Sequence, residues 1–477
     1  MLKLNKDTDI LNGNILSIIV WISIPIIITN FIDGFYGIID SWFVSSIGSL
    51  EVAAVTFVSP IYETINAVGV GLSIAGGSLV GRYLGQKDDE KVSNTMEQLS
   101  IIALVIGCIM GIGSCIFAKQ ILIHASATEN ILGAAENYFR IIALTEPFWF
   151  LTLVYMAIRR AQGDTKATMK INMWSLILKI IFSAIFIFVF NMGIIGVALS
   201  TLLAKVLCSV PPILALFFKD PLVDIKKAKI RMPVIKGILI VAIPLILEKS
   251  MVSYGFVLIN GYIVEFGEPV LAAYGLTNKV NTVIFKMTSA VGTGISVIVA
   301  QNLGAKNIDR VKEVIQKGVV MAIAFACVCA LCVVPFRAQI AKMFLETTDP
   351  TYQHMVNAMG IYTISVIPWA ITELSLGVFQ GTALTGYNLL ISLMRIYVFR
   401  LPTLAILTLP ALALNESAIW YAMLISNILS AMFSFSLVIF RRKDIAAVAD
   451  GSYISPVKKF NARFSSKLNK GIDNNLN

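Results

Sequence analysis

The sequence predicts an all-α polytopic membrane protein, with twelve transmembrane helices in two six-helix lobes related by a pseudo-two-fold axis along the membrane normal. Three observations predict it. The 477 residues are 57% hydrophobic and only 14% charged, against roughly 25% charged in a soluble domain, and the mean hydropathy is +0.81. Twelve apolar stretches approach or exceed the about 20 residues that a membrane span needs. The chain also matches itself at a shift of 219 residues. This composition excludes a soluble enzyme, a disordered chain, a fibrous protein and a nucleic-acid module. The apolar runs do not alternate polar and apolar residues as barrel strands do.

In chain order, residues 1–14 are polar and form a cytoplasmic N-terminus. The first apolar run is too long for the h-region of a cleavable signal peptide. The expected spans lie near 15–46, 51–80, 94–118, 130–158, 168–190 and 193–218, making an N-lobe over 15–219. A basic linker over 220–233, with Pro221 and Pro233, leads to spans near 234–264, 270–300, 311–335, 352–380, 387–409 and 415–440. These make a C-lobe over 234–440. Residues 441–477 read as a solvated basic tail. The six cysteines all fall in apolar runs without a CxxC pair, so they read as packing residues. His124 and His354 fall between spans, and no metal site is expected.

The formal charge of +10 is explained by topology. Of 38 basic residues, 27 fall in Lys3 and Lys6, 82–91, 159–170, 219–236, 306–317 and the tail. The opposite loops hold Lys119, Arg140, Arg337 and Lys342. This is the positive-inside pattern, and it places both termini in the cytoplasm. Seven basic residues remain within spans: Lys179, Lys205, Lys249, Lys279, Lys286, Arg395 and Arg400. Each such group costs about 2.5–3.5 kcal/mol at a helix centre, so it needs a partner or a task.

The repeat pairs Ile24-Pro25 with Ile243-Pro244, Gly48 with Gly267, and Val80 with Val299. Leu84–Lys87 falls on Leu303–Lys306, and Gln162-Gly163 on Gln380-Gly381 at a shift of 218. Six spans per repeat, an even number, give both halves the same orientation. Two such lobes facing each other across a cleft suit alternating access. No GxxxxGK[ST] phosphate loop is present, so an ion gradient is the expected energy source.

Several segments together resemble one transporter family. They are Pro25 with Asp40–Gly48 and Val52–Val55, the loops Gly81–Lys87 and Gln301–Arg310, Ala161–Lys166, and Met192–Ala198. Across residues 15–440 the chain resembles the multidrug and toxic compound extrusion (MATE) transporters of prokaryotic type. The resemblance implies two six-helix bundles in a V shape, exporting cationic, lipophilic compounds against inward H⁺ or Na⁺. It places the N-lobe coupling acid at Asp40. The family's Asn and Asp, four apart on the fifth helix, fall on Lys179 and Ser183, so a cation stands in place of the Asn.

An opposite charge beside Asp40 favours its ionised form. Three roles are open to Lys179: a fixed counter-ion, a cation displaced by the incoming ion, or a sign that coupling has moved elsewhere. Asp33, seven residues before Asp40 on the same helix face, is the first alternative. In the C-lobe the family's acidic helices carry Glu248 and Glu373, with Arg395 and Arg400 as competing partners of Glu373. Glu63 and Glu146 are lesser candidates. Tyr36, Tyr254 and Trp369, with Trp42 and Tyr397, are available to stack on cationic ligands. Pro25 and Pro244 are candidate hinges.

The expected function is therefore secondary active multidrug efflux from the plasma or inner membrane. The partners are small organic cations and the bilayer, with no nucleic acid and no cofactor beyond the coupling ion. A monomer and no enzymatic activity are expected. The alternative is a flippase for lipid-linked oligosaccharides of the same superfamily, to which Lys179, Lys286, Arg395 and Arg400 would offer a basic cavity, although the motif set favours the drug exporter.

Overall fold

The computed structural model describes residues 9–125, 127–219, 230–409 and 414–453. Lys3 and Lys6, residues 220–229 of the linker and the tail beyond 453 lie outside the described residues. The first half consists of α1 (Ile15–Ser45), α2 (Ser49–Gly85), α3 (Asp89–Ile116), α4 (Ala118–His124), α5 (Glu129–Ala143), α6 (Glu146–Ala161), α7 (Thr165–Ala184) and α8 (Gly193–Leu214). The second half consists of α9 (Met232–Val264), α10 (Glu268–Gly304), α11 (Ile308–Val333), α12 (Arg337–Lys342), α13 (Pro350–Tyr362), α14 (Val366–Gly381), α15 (Gly386–Leu393), α16 (Leu401–Leu407) and α17 (Ser417–Phe440). A final helix, α18, spans Arg442–Ala449. A short helix follows the third long one in each half (α4, α12), as a duplicated plan requires.

Among the described residues, ten helical segments are long and apolar enough to cross a membrane, and the pair α5–α6 makes an eleventh. Helix α9, 33 residues long, stands at the position of the seventh expected span. The stretch expected as one span over 130–158 is two helices meeting at 47°. Pro147 explains the break: it lies in the first turn of α6, has no N–H to donate backwards, and fits best at a helix start. Apolar side chains such as Ile109 (64% exposed) and Leu331 (67%) face outward, as expected where the surroundings are lipid.

Polar caps start the helices on the loop side of each half. Asp88 accepts from Lys91 N at 3.0 Å to begin α3, and Asn307 accepts from Arg310 N at 3.3 Å to begin α11. The residues before these caps, Lys87 (φ 56°) and Lys306 (φ 60°), adopt the same left-handed turn. The repeat thus holds at a shift of 219 in backbone detail. Further on it drifts. The left-handed turn after α6 is at Gly163 and that after α14 is at Ala383. Both bond back in the same pattern, through Gly163 N to Arg160 O and Ala383 N to Gln380 O. The structural shift there is 220, not the 218 of the Gln-Gly match.

The buried core is arranged by height. At the end carrying the loops 86–88 and 305–307, two clusters join the halves. One packs Ile15, Ile19, Ile22 and Ile26 of α1 among α10, α11 and α14. The other packs Ile238, Ala242 and Leu245 of α9 among α2, α3 and α6. At the opposite end each cluster belongs to one half. Phe43 and Val44 of α1 pack with α2, α5 and α8, while Ile259 and Ile263 of α9 pack with α10, α13 and α17. Helices α1 and α9 therefore cross from one half's core into the other's. The molecule is closed at the loop end, where Gly85 and Gly304 meet. A Cβ on Gly85 would lie 2.0 Å from Gln301 O, and one on Gly304 2.0 Å from Arg82 O.

The start of the expected solvated tail is instead folded. Ile445, Val448 and Ala449 of α18 are buried in the first joining cluster, because α18 presents one apolar face. Arg82 of α2 donates to Val448 O at 2.6 Å. In return, Gln301 of α10 donates to Ala161 O of α6 at 2.6 Å. Arg82 and Gln301 are equivalent positions in the two repeats, and each bridges to the other half.

Candidate functional site

Above the closed end, α1 carries Asp33, Tyr36 and Asp40 on one face of an unbroken helix. Asp40 meets α7 and α8. Lys179 of α7 is fully buried, and its Nζ lies 2.8 Å from Asp40 Oδ1. The ammonium donates to Thr201 Oγ1 (2.7 Å), Ser200 Oγ (2.9 Å) and Val197 O (3.0 Å). Three donors thus find three neutral acceptors, and Asp40 supplies the counter-charge. Ser183 completes the shell through Ser200 Oγ at 2.9 Å. The Tyr36 hydroxyl lies beside Asp40 and Thr201. The sequence names Asp40, Lys179 and Ser183 but leaves their contacts open; the structure joins Lys179 to Asp40 and Ser183 to Ser200, and it adds Ser200 and Thr201, which the sequence reading missed. Two adjacent hydroxyls in the apolar run of span six were the available signal.

Asp33 differs. It is exposed and has no ion pair among the described residues, yet Lys286, Arg160, Lys205 and Glu63 all act on its charge. Lys286 comes from α10 of the other half, and its carbonyl accepts from Asn30 of α1 at 2.6 Å. Asp33 therefore lies near α10 of the other half. Glu63 is also exposed. Glu146 is fully buried beside Lys205 and Tyr62. Lys205 donates to the Tyr62 hydroxyl at 2.6 Å and sits 4.7 Å from the centre of the Trp149 ring.

In the second half, Glu248, Lys249, Trp369, Glu373, Arg395 and Arg400 line a cavity of about 210 Å³. Glu248 is buried, lies 3.3 Å from Lys249 Nζ and accepts from Ser392 Oγ at 3.1 Å. The π-helical stretch Met394–Arg400 joins α15 to α16 and turns both arginines inward, a widening common at functional sites. The expectation that these arginines neutralise Glu373 is corrected. Neither forms an ion pair with it. Arg400 donates to Ser426 Oγ (2.9 Å) and Asn427 Oδ1 (2.6 Å), neutral groups that α17 brings within reach. Arg395 stacks on Trp369, 4.3 Å from the ring centre.

The aromatics also divide. Trp369 lines the cavity, but Arg395 covers one of its faces. Tyr254 is 56% exposed and is not among the cavity residues. Trp42 packs on Phe43 and Phe188, and the Tyr397 hydroxyl is tied to Met251 O at 2.7 Å. Pro25 and Pro244 lie inside α1 and α9, both of which continue through them. No group of three or more potential metal ligands occurs among the described residues.

Across both halves one pattern recurs. Positions suited to an external cation hold a cation of the chain: Lys179 at Asp40, Lys205 at Tyr62 and Trp149, Lys249 at Glu248, and Arg395 at Trp369. Among the candidate acids within spans, Asp33 and Glu63 are exposed.

Comparison with known proteins agrees with the duplicated plan. The MatE family model matches residues 25–185 and again 244–406. The chain is 25% identical over 317 residues to the "Probable multidrug resistance protein YoeA" of Bacillus subtilis (strain 168), covering 64% of this chain and 68% of that protein. It is 26% identical over 369 residues to the "Multidrug export protein MepA" of Staphylococcus aureus (strain N315), covering 76% and 80%. Among solved structures, an outward-facing multidrug resistance MATE family transporter superposes with a TM-score of 0.87 at 21% identity, covering 92% of this chain and 98% of that one. With two family matches spanning most of its length, the chain belongs to the MATE family of multidrug and toxic compound extrusion transporters.

Proposed function

We propose that this chain is a secondary active exporter of lipophilic organic cations, coupled to an inward H⁺ or Na⁺ gradient and working by alternating access. The observation that carries the reading is closure at one end only: cores shared between the halves at the loop end, and separate cores at the other. The relatives named for multidrug export support the substrate class. On this reading twelve helices form two lobes in the plasma or inner membrane, with the basic loops and both termini cytoplasmic. The closed end is then cytoplasmic and the cleft opens outward. The chain acts as a monomer and uses no cofactor beyond the coupling ion. Pro25 and Pro244 stand on the two crossing helices, where a change of bend re-partitions each helix between the two cores.

Of the three roles open to Lys179, the fixed counter-ion is supported by its burial and its three neutral partners. We assign capture of the cationic cargo or the coupling ion to Asp33, which has no ion pair among the described residues and whose neighbour Lys286 belongs to the other half. In the second half Glu248 is already paired with Lys249, and Glu373 lines the same cavity, so neither is assigned the cation exchange.

The test is efflux of a lipophilic cationic dye from proteoliposomes under separately imposed H⁺ and Na⁺ gradients. One gradient should drive efflux in the wild type, and Asp33→Asn should lower the initial rate by about tenfold or more. Full gradient-driven efflux in Asp33→Asn would overturn the assignment of that residue. Absence of dye efflux together with translocation of a pyrophosphate-linked sugar lipid would favour the flippase.

A further inference from the structure

The second-half cavity is lined by more cations than carboxylates. Counted as ionised, its lining holds three cations (Lys249, Arg395 and Arg400) against two carboxylates (Glu248 and Glu373), an excess of one positive charge. Their bonding identifies where that charge is available. Glu248 engages Lys249 and Ser392. Arg400 is held by the neutral Ser426 and Asn427. Arg395 is only 7% exposed, yet it donates no hydrogen bond to any described residue. Its guanidinium lies over the Trp369 ring, 4.3 Å from the ring centre. The strongest charge acting on it is Arg400, another cation, ahead of Glu373. A buried guanidinium with no acceptor, lining a cavity, is suited to receive an oxyanion.

We propose that this cavity is a subsite for the carboxylate of the transported compound, which it binds through the Arg395 guanidinium. At about 210 Å³ it is smaller than the roughly 300–1,000 Å³ of a pocket that encloses a whole drug, so it holds the acidic end while the remainder lies in the cleft. Lys249, with 41% of its side chain exposed, marks the cleft side. The exposed acids Asp33 and Glu63 of the first half are available to a cationic end. The preferred cargo is therefore a zwitterion: an apolar body with a cation at one end and a carboxylate at the other. This rests on the export reading above and narrows its substrate class.

The probes are a cationic xanthene dye bearing a free carboxylate and its methyl ester, which has the same ring cation. Binding to the purified full chain in nanodiscs is followed by fluorescence polarisation. The acid should bind about tenfold or more tighter than the ester. Arg395→Gln should bring the ratio of the two affinities near unity, and Arg395→Lys should retain part of it. Thermal melting of each variant reports its fold, and the ratio is read only between dyes on one variant. Equal affinity of acid and ester for the wild type, or an unchanged ratio in a folded Arg395→Gln, would overturn the proposal while leaving multidrug export intact. Binding of neither dye would remove both readings. Chloride should displace neither dye; selective displacement of the acid by low millimolar chloride would assign the site to a small inorganic anion and overturn the substrate assignment.

Discussion

Removing the two partners of the Asp40–Lys179 pair should have unequal effects. Breaking a buried ion pair by deleting one member costs about 3–5 kcal/mol, because the other is left uncompensated. The geometry ranks the two deletions. The Lys179 side chain is 0% exposed and that of Asp40 18%. Asp40→Asn strands a cation with no path to water and belongs at the upper end, about 5 kcal/mol. Lys179→Met strands a carboxylate that already touches water, and lies near about 3 kcal/mol. The double variant removes both charges and loses mainly the hydrogen bonds to Ser200, Thr201 and Val197, roughly 1 kcal/mol each. The two single effects should therefore be strongly non-additive, by roughly 3 kcal/mol or more. The assay is reversible denaturant unfolding of the four proteins in micelles, analysed as a double-mutant cycle. Additivity within about 0.5 kcal/mol, or Lys179→Met costing more than Asp40→Asn, would refute the reasoning and return Lys179 to the role of a displaceable cation.

The closed end offers two further tests. Gly85→Ala and Gly304→Ala each place a Cβ 2.0 Å from a backbone carbonyl of the other half, so both should open the loop end. Thiol labelling of a cysteine introduced at Lys87 should speed up by about tenfold or more; unchanged labelling would show that the backbones separate freely. Arg82→Ala or Gln301→Ala deletes one bridge between the halves, worth about 1 kcal/mol. Hydrogen exchange at 86–88 and 305–307 should then quicken about fivefold, and exchange equal to wild type would mean that the bridges do not hold the end shut.

Much of this arrangement was legible before any fold. Span positions follow from apolar runs, and the duplication survives as backbone detail at Lys87 and Lys306. The resemblance puts Asp40 and Lys179 in the same lobe but leaves their contact open, and only the structure shows the pair at 2.8 Å. The partners of Lys179 on α8 were not legible, since serine and threonine in a span also bond to their own helix, as Ser200 does to Val197 O at 2.7 Å. The pairing of Arg395 and Arg400 with Glu373 failed for a related reason. Charge alone suggests a carboxylate partner, whereas the π-helical stretch and α17 supply Trp369, Ser426 and Asn427.

The sequence by itself determined the helical membrane class, the two-fold duplication and the identities of the charges that must be accommodated indoors. Those depend on composition and period, which are local. Tertiary structure decided which core each end of α1 and α9 enters, which end of the molecule is shut, and which cations remain without an acceptor. These depend on contacts between residues hundreds of positions apart, such as Arg82 with Val448 and Asn30 with Lys286. Hydrophobic pattern is silent on them, because an apolar helix face packs equally well against either half.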